Sequence, residues 1–161
     1  MKHIISVEVE NKFGALARIS GLFSARGFNI ESLTVGETED VDVSRMTIVV
    51  PGDDSVVEQV CKQLNKVIDV IRVRDLTEEG FFERELLLVR VSCAVAKRPE
   101  ILELVELFKG KVLEVGQKHI TIELSGDEEK VTAFLNLITS FGIKEIVRTG
   151  KIAIKKIETG K

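Results

Sequence analysis

The spacing of apolar residues along this chain changes repeatedly between the period of a strand and the period of a helix. Apolar and polar residues alternate from His3 to Glu10, as in a half-buried strand. Helical spacing follows from Leu16 to Phe23, and Gly27 is suited to end that helix. Strand patterns return from Phe28 to Gly36 and from Val43 to Val50. The first part of the chain is therefore predicted to fold as strand, helix, strand, strand.

A second helix and a fourth strand complete this predicted unit. The segment 51–53 interrupts the third strand, and Asp53 or Asp54 can cap a helix whose apolar stripe runs from Val56 to Val67. A further strand is predicted from Asp69 to Leu76. Right-handed crossovers would place both helices on one face of a four-stranded antiparallel sheet, which is the ferredoxin-like arrangement.

The same order of elements begins again after a polar break at 77–80. The predicted elements are a strand at 85–95, a helix at 99–108, strands at 111–115 and 119–124, a helix through 131–141, and a strand at 143–154 with a break at Gly150. We therefore predict an α+β chain of two tandem ferredoxin-like units. The expected boundaries are a first domain at 1–76, a linker at 77–80 and a second α+β domain at 81–161.

The composition argues against several classes of function. A net charge of −3 provides no broad basic field for nucleic acid or for an anionic membrane. The sequence has no run of about 18 apolar residues, which a membrane-spanning helix would need. Cys61 and Cys93 lack the close spacing of a metal clip or a redox pair. We expect a cytoplasmic protein with reduced thiols and with neither nucleic acid nor membrane as a partner.

The sequence offers no group of residues suited to catalysis. His3 and His119 lie in predicted strands, outside any metal-ligand motif, and are expected at the surface or at strand ends. Gly14, Gly21 and Gly27 do not match a phosphate-binding loop, because no Lys-Ser or Lys-Thr pair follows them. We predict no catalytic residue and no metal ligand.

The most informative stretch is the turn between the first strand and the first helix. The backbone N–H groups of Gly14, Ala15 and Leu16 are expected to be free at the helix N-terminus, where they could receive a carboxylate. Asn11, at the end of the strand, and Asn29, before the next strand, each offer an amide donor and acceptor. This combination suits a ligand that carries both an ammonium and a carboxylate group.

Apolar neighbours of the turn indicate the kind of side chain that such a ligand would carry. Phe13, Leu16 and Ile30 would favour a small aliphatic group, since none of them could satisfy a polar one. The alternative is that Asn and Gly serve here as ordinary turn and cap residues. Local spacing taken alone favours that simpler explanation.

A longer pattern includes this turn. The segment Asn11–Gly36 closely resembles the ACT domain of acetohydroxyacid synthase regulatory subunits. The segments Ser44–Ile48, Gln63–Val70 and Glu83–Leu86 are similar to further signatures of that family, in the same order and at the same spacing. The resemblance covers essentially the whole chain and is weakest from Val95 onward.

The resemblance implies a regulatory subunit without an active site or a cofactor of its own. Such a subunit would activate a catalytic subunit carrying thiamine diphosphate, FAD and magnesium, and would confer feedback inhibition by valine or another branched-chain amino acid, isoleucine or leucine. ACT domains of the family pair side by side in a homodimer, with the effector between the two. The effector-binding residues implied for this sequence are Asn11, Gly14, Ala15 and Leu16 of one chain and Asn29 and Ile30 of its partner.

Three alternatives stay open at this point. The chain could be an ACT-type amino-acid sensor that serves another metabolic enzyme. It could also be a small metal-responsive regulator, although the expected His/Cys cluster and basic helix are missing from the sequence. An enzyme would need acid and base groups assembled from scattered Asp and Glu residues, which a sequence alone does not reveal.

Overall fold

The computed structural model describes residues 1–157, which form two compact units. The first contains residues 1–82 and the C-terminal segment that begins at Lys151, and the second contains residues 83–150. The first six elements are β1 (Lys2–Glu10), α1 (Ala15–Arg26), β2 (Ser32–Glu37), β3 (Val43–Pro51), α2 (Asp54–Leu64) and β4 (Val70–Asp75).

The sheet of the first unit has the strand order β2-β3-β1-β4, and neighbouring strands are antiparallel. Val7 pairs with Met46 on one side and with Val73 on the other, so one face of three strands is apolar. The residues buried in this core are Ile5, Val7, Val9, Ile19, Phe23, Met46, Ile48, Val50, Val57, Val60 and Leu64. Both helices contribute to it, which confirms the predicted ferredoxin-like unit.

Two of the predicted helix ends are confirmed in detail. Gly27 adopts the left-handed conformation, with φ of 70°, and ends α1. The side chain of Asp53 accepts a hydrogen bond from the Val56 N–H and caps α2. The strand predicted from Phe28, however, begins only at Ser32. Phe28 packs edge-on against Phe23 at a ring distance of 6.2 Å, because its apolar ring is drawn into the core before the chain joins the sheet.

The second unit repeats the topology of the first. Its elements are β5 (Phe81–Ser92), a 3-10 turn (Val95–Lys97), α3 (Arg98–Leu107), β6 (Lys111–Val115), β7 (His119–Gly126), α4 (Glu128–Ile138), a 3-10 turn (Thr139–Phe141) and β8 (Ile143–Arg148). The strand order β6-β7-β5-β8 corresponds to β2-β3-β1-β4. The residues of its core are Leu87, Val89, Val91, Cys93, Ile101, Val105, Ile120, Ile122, Leu124, Val131, Phe134 and Ile138. The second predicted ferredoxin-like unit is thereby confirmed.

The final strand, β9 (Ile152–Lys155), pairs with β5. Gly150, with φ of 83°, lies between β8 and β9 and interrupts the predicted strand, as expected from the sequence. Ala153 and Phe81 pack against a small apolar cluster formed by Ile4, Val49 and Leu76. The segment from Lys151 therefore belongs to the first compact unit, whereas the boundaries drawn from the sequence assigned it to the second domain. Within residues 1–157, no helix is long and apolar enough to cross a membrane.

Candidate functional site

The turn between β1 and α1 is closed by its own backbone. The Lys12 N–H donates to the Glu10 carbonyl at 2.9 Å, and the Ala15 N–H donates to the Lys12 carbonyl at 3.2 Å. Gly14 follows in the left-handed conformation, with φ of 85°, and forms the N-cap of α1 without any side-chain cap. Only glycine adopts this conformation without strain, so the sequence places Gly at the one position of the turn that requires it.

The backbone donors of the turn differ in part from the expectation. The Ala15 N–H is not free, because the tight turn directs it to the Lys12 carbonyl. The Gly14 and Leu16 N–H groups have no backbone acceptor within the described part of the chain. The first turn of α1 carries no acidic residue, so the partial positive charge of its N-terminus is not neutralised there. Two donors rather than three are available to an incoming carboxylate.

Asn11 is already held by the connection between β2 and β3. Its Nδ2 donates to the Val41 carbonyl at 2.9 Å and to Glu37 Oε1 at 3.1 Å. Its backbone N–H donates to the Asp42 carbonyl at 2.7 Å. Both amide protons are therefore used within the protein, and the Oδ1 acceptor is the part of Asn11 that can meet a ligand. An ammonium group is the natural partner of such an acceptor.

The other two predicted residues lie at the opposite end of the same sheet. Asn29 is exposed, and Ile30 packs at the edge of the core, just before β2. Val49 pairs with both Ile4 and Ser32, so the start of β2 lies level with the start of β1. Asn11 follows the far end of β1, about 24 Å along the strand. One chain therefore does not bring Asn29 and Ile30 together with the turn.

A partly buried ion pair behind the turn was missed by the sequence analysis. The Arg18 guanidinium donates to both oxygens of Asp69, and its Nη2 lies 2.9 Å from Asp69 Oδ1. The same Nη2 donates weakly to the Phe13 carbonyl at 3.4 Å. Asp69 is only 4% exposed, and the hydrogen bond from Arg18 holds the pKa of its carboxyl below its usual range. No local pattern could reveal this pair, because its members are 51 residues apart.

The histidines lie in different surroundings. His119 is exposed at the start of β7, whereas His3 is 2% exposed at the start of β1. His3 Nε2 lies 3.6 Å from an Asp54 oxygen, and Nδ1 lies 3.7 Å from an Asp75 oxygen. Neither ring nitrogen of His3 has a hydrogen-bond partner among the described residues. His3 is thus a strand-end residue, as expected, but a buried one.

The cysteines are free thiols, and one of them is fully buried. Cys93 belongs to the core of the second unit, and Cys61 is half-buried within α2. Burial raises the pKa of the Cys61 thiol to about 11, which disfavours the reactive thiolate. In residues 1–157, no group of three His, Cys, Asp or Glu side chains is placed to hold a metal ion.

The corresponding turn of the second unit has a different character. A shallow cavity of about 410 Å³ lies beside the passage from β5 to α3, lined by Ser92, Ala94, Lys97, Glu100, Ser140 and Phe141. The strand ends in Ser92 rather than in an Asn-containing turn, and Pro99 occupies the first turn of α3 in place of a left-handed Gly. The second unit therefore does not repeat the site of the first.

Both units match models of known protein families. Residues 5–72 match the AHAS small subunit-like ACT domain, and residues 84–157 match the small subunit of acetolactate synthase. A solved structure of the acetolactate synthase small subunit from Thermotoga maritima has a TM-score of 0.89, with 40% sequence identity and coverage of 99% of both chains.

Curated relatives agree over nearly the full length. The probable acetolactate synthase small subunit of Archaeoglobus fulgidus is 58% identical over 154 residues, which cover 96% of each chain. The acetolactate synthase small subunit of Aquifex aeolicus is 50% identical over 156 residues, which cover 96% of this chain and 81% of the relative.

Proposed function

The chain belongs to the acetolactate synthase small-subunit family, and on that premise we propose that it activates the catalytic subunit and makes it subject to feedback inhibition by valine. Acetolactate synthase and acetohydroxyacid synthase are two names for one enzyme, so the resemblance found in the sequence is confirmed. A small subunit implies a catalytic subunit as its partner. In this proposal the chain is not an enzyme and carries no cofactor, whereas thiamine diphosphate, FAD and magnesium belong to the catalytic subunit.

The observation that carries the proposal is the β1–α1 turn. It combines two backbone donors at a helix N-terminus with the Asn11 acceptor, and these complement the carboxylate and ammonium groups of an amino acid. Phe13 is fully exposed and Leu16 is 44% exposed, so apolar surface is available beside the polar groups. A branched aliphatic side chain matches such surface. Valine, isoleucine and leucine are the candidate effectors.

A homodimer supplies the second half of the site. β2 is an edge strand of the sheet, and Asn11 contacts Glu37 at the end of that strand. A second chain that paired its own β2 in antiparallel fashion would bring its Asn29 and Ile30 beside this end. We propose that the effector binds between Asn11, Gly14 and Leu16 of one chain and Asn29 and Ile30 of the other. Ala15 contributes by packing beneath the turn, since it is 4% exposed.

The proposal predicts that dimerisation and effector binding are thermodynamically coupled. A ligand that binds only the paired state stabilises that state, so valine should strengthen the dimer. A change in the paired sheets would then alter how the regulatory subunit binds its catalytic partner. A coupling free energy of about 1–3 kcal/mol would be sufficient for regulation.

The test is titration calorimetry with valine, isoleucine and leucine, followed by assays of acetolactate formation with the catalytic subunit. We expect saturable valine binding, activation of the catalytic subunit, and inhibition when valine is added. The Asn11→Ala, Asn29→Ala double variant should lose binding and inhibition but keep activation. Asn136→Ala is the matched control, because it removes an exposed amide from α4 of the second unit.

The outcomes also separate the main alternative. Valine binding without any activation of the catalytic subunit would favour an ACT-type sensor of another metabolic enzyme. Activation with unchanged inhibition in the double variant would show that the effector site is elsewhere.

A further inference from the structure

The Arg18–Asp69 ion pair lies directly behind the proposed effector turn. The guanidinium approaches Asp69 side-on, with two parallel N–H groups on the two carboxylate oxygens. Arg18 is about half exposed, while the Asp69 carboxylate is 5% exposed. The pair takes no part in the proposed ligand contacts, so its position next to the turn calls for another explanation.

Asp69 is connected to both ends of the turn. Its backbone carbonyl accepts a hydrogen bond of 2.8 Å from the Glu10 N–H, at the end of β1. Its carboxylate holds Arg18, in the first turn of α1. Arg18 in turn reaches the Phe13 carbonyl, immediately before Gly14. The segment between β1 and α1 is thereby fixed from the β4 side of the sheet.

Asn11 fixes the same segment from the other side. Its hydrogen bonds run to Val41 and Glu37, in and beside the connection of β2 and β3. Since β1 lies between β3 and β4 in the sheet, the two attachments hold the turn from opposite sides. The geometry of the Gly14 and Leu16 donors therefore depends on both attachments, through Asn11 and through the Arg18–Asp69 pair.

Burial of the Asp69 carboxylate stabilises the attachment that Arg18 and Asp69 provide. An unpaired carboxylate in the position of Asp69 would be strongly disfavoured, so the native structure requires Arg18 to remain beside it. The planar fork of Arg also restricts the direction of approach, which a flexible Lys would not do. We infer that Arg18 and Asp69 are positioning residues that hold the Gly14 and Leu16 N–H groups in the arrangement that binds the effector. This role rests on the proposed function.

The expected effect follows from the populations of the turn. If loss of the ion pair leaves the binding arrangement populated one-tenth of the time, the apparent Kd for valine rises about tenfold. The affinity for the catalytic subunit need not change. The effect is therefore on the effector response and not on activation.

The closing experiment compares Asp69→Asn with Glu85→Gln in the full chain. Glu85 is a matched control, because it is 4% exposed and accepts a bidentate contact from Arg148, with Nη2 at 2.8 Å, in the second unit. Both variants should lower the melting temperature. Asp69→Asn should weaken valine binding about tenfold, whereas Glu85→Gln should leave the Kd unchanged within about twofold. Arg18→Lys keeps the charge and should give an intermediate Kd.

A second readout does not depend on any ligand. Hydrogen exchange of peptides covering residues 11–18 should accelerate in Asp69→Asn and in Arg18→Lys, and should stay at the wild-type rate in Glu85→Gln. Unchanged exchange and unchanged valine affinity in a folded Asp69→Asn variant would overturn the inference. If the wild type binds none of the three amino acids, the proposed function fails, and the exchange rates still decide whether the ion pair positions the turn.

Discussion

At the scale of single residues, the glycine at the N-cap of α1 and the glycine inside that helix have opposite requirements. Gly14 has φ of 85°, and a Cβ placed there would lie 2.9 Å from Arg18 Nη1. Gly21 lies within α1, and a Cβ added there would meet no atom within 4 Å beyond the backbone of its own helix. The same substitution should therefore have effects of opposite sign at these two positions.

The prediction is that Gly14→Ala lowers the free energy of unfolding by about 1–2 kcal/mol, since an L-residue is strained in the left-handed region. Gly21→Ala should raise it by about 0.5–1 kcal/mol, because Ala loses less conformational entropy than Gly in a helix. Urea denaturation at one fixed protein concentration measures both. Equal effects of the two substitutions would contradict the left-handed conformation of Gly14.

Reasoning from single residues of the sequence placed Asn11 and Gly14 in the turn between the first strand and the first helix, because turn residues have local signatures. It expected the Ala15 N–H to be free, and that was wrong, since a tight turn can use a donor within itself. It could not find Asp69, because the partner of Arg18 is selected by the tertiary fold and not by spacing along the chain.

At the scale of elements, the helices differ in how their N-termini are capped. Asp53 caps α2, and Asp127 caps α4 by accepting a hydrogen bond from the Lys130 N–H at 2.9 Å. α1 has no side-chain cap at Gly14. No side chain therefore occupies the N-terminal donors of α1, whereas α2 and α4 each satisfy one of theirs with an Asp side chain.

Substitution of Asp127 tests whether its side chain caps α4. Asp127→Ala should destabilise the second unit by about 1 kcal/mol, and Asp127→Asn should restore most of that loss because Asn is an equally good cap. Valine affinity should not respond to either substitution. Circular dichroism during urea unfolding measures the stability, and an Asn variant as unstable as the Ala variant would argue against a capping role.

Element boundaries were predicted well where the period of the sequence changes sharply. The alternation of apolar residues predicted the ends of β1 and β3 to within one residue, and Gly27 predicted the end of α1. The beginning of β2 was misplaced because Phe28 and Ile30 alternate like strand residues but pack against the core instead. A pattern of apolar residues does not distinguish a strand from an extended segment that packs without pairing.

At the scale of the whole molecule, the repeated order of elements predicted both sheets, since few topologies are compatible with it. The pairing of β9 with β5 was not predicted, because the alternation simply continues past Gly150. The position of Asn29 and Ile30, at the far end of the sheet from Asn11, has no signature in one sequence either. It emerges only from the strand register.

Because Asn29 and Asn11 lie at opposite ends of the sheet, a site shared between two chains can be tested with two variants that each lose effector binding. Asn11→Ala removes the acceptor of the turn, and Asn29→Ala removes the amide that the partner would supply. In a mixed dimer of the two, one site carries both substitutions and the other site carries neither. With random exchange of subunits, about a quarter of all sites should be intact.

Titration calorimetry of the mixture, after the subunits have exchanged at high dilution, should therefore recover about a quarter of the wild-type stoichiometry, with the wild-type Kd. Each variant alone should bind weakly or not at all. A site contained within one chain gives the opposite result, because every chain in the mixture then has a damaged site and no mixing can restore it. Recovery of binding would show that the effector binds between two chains, so that regulation by the effector requires the dimer.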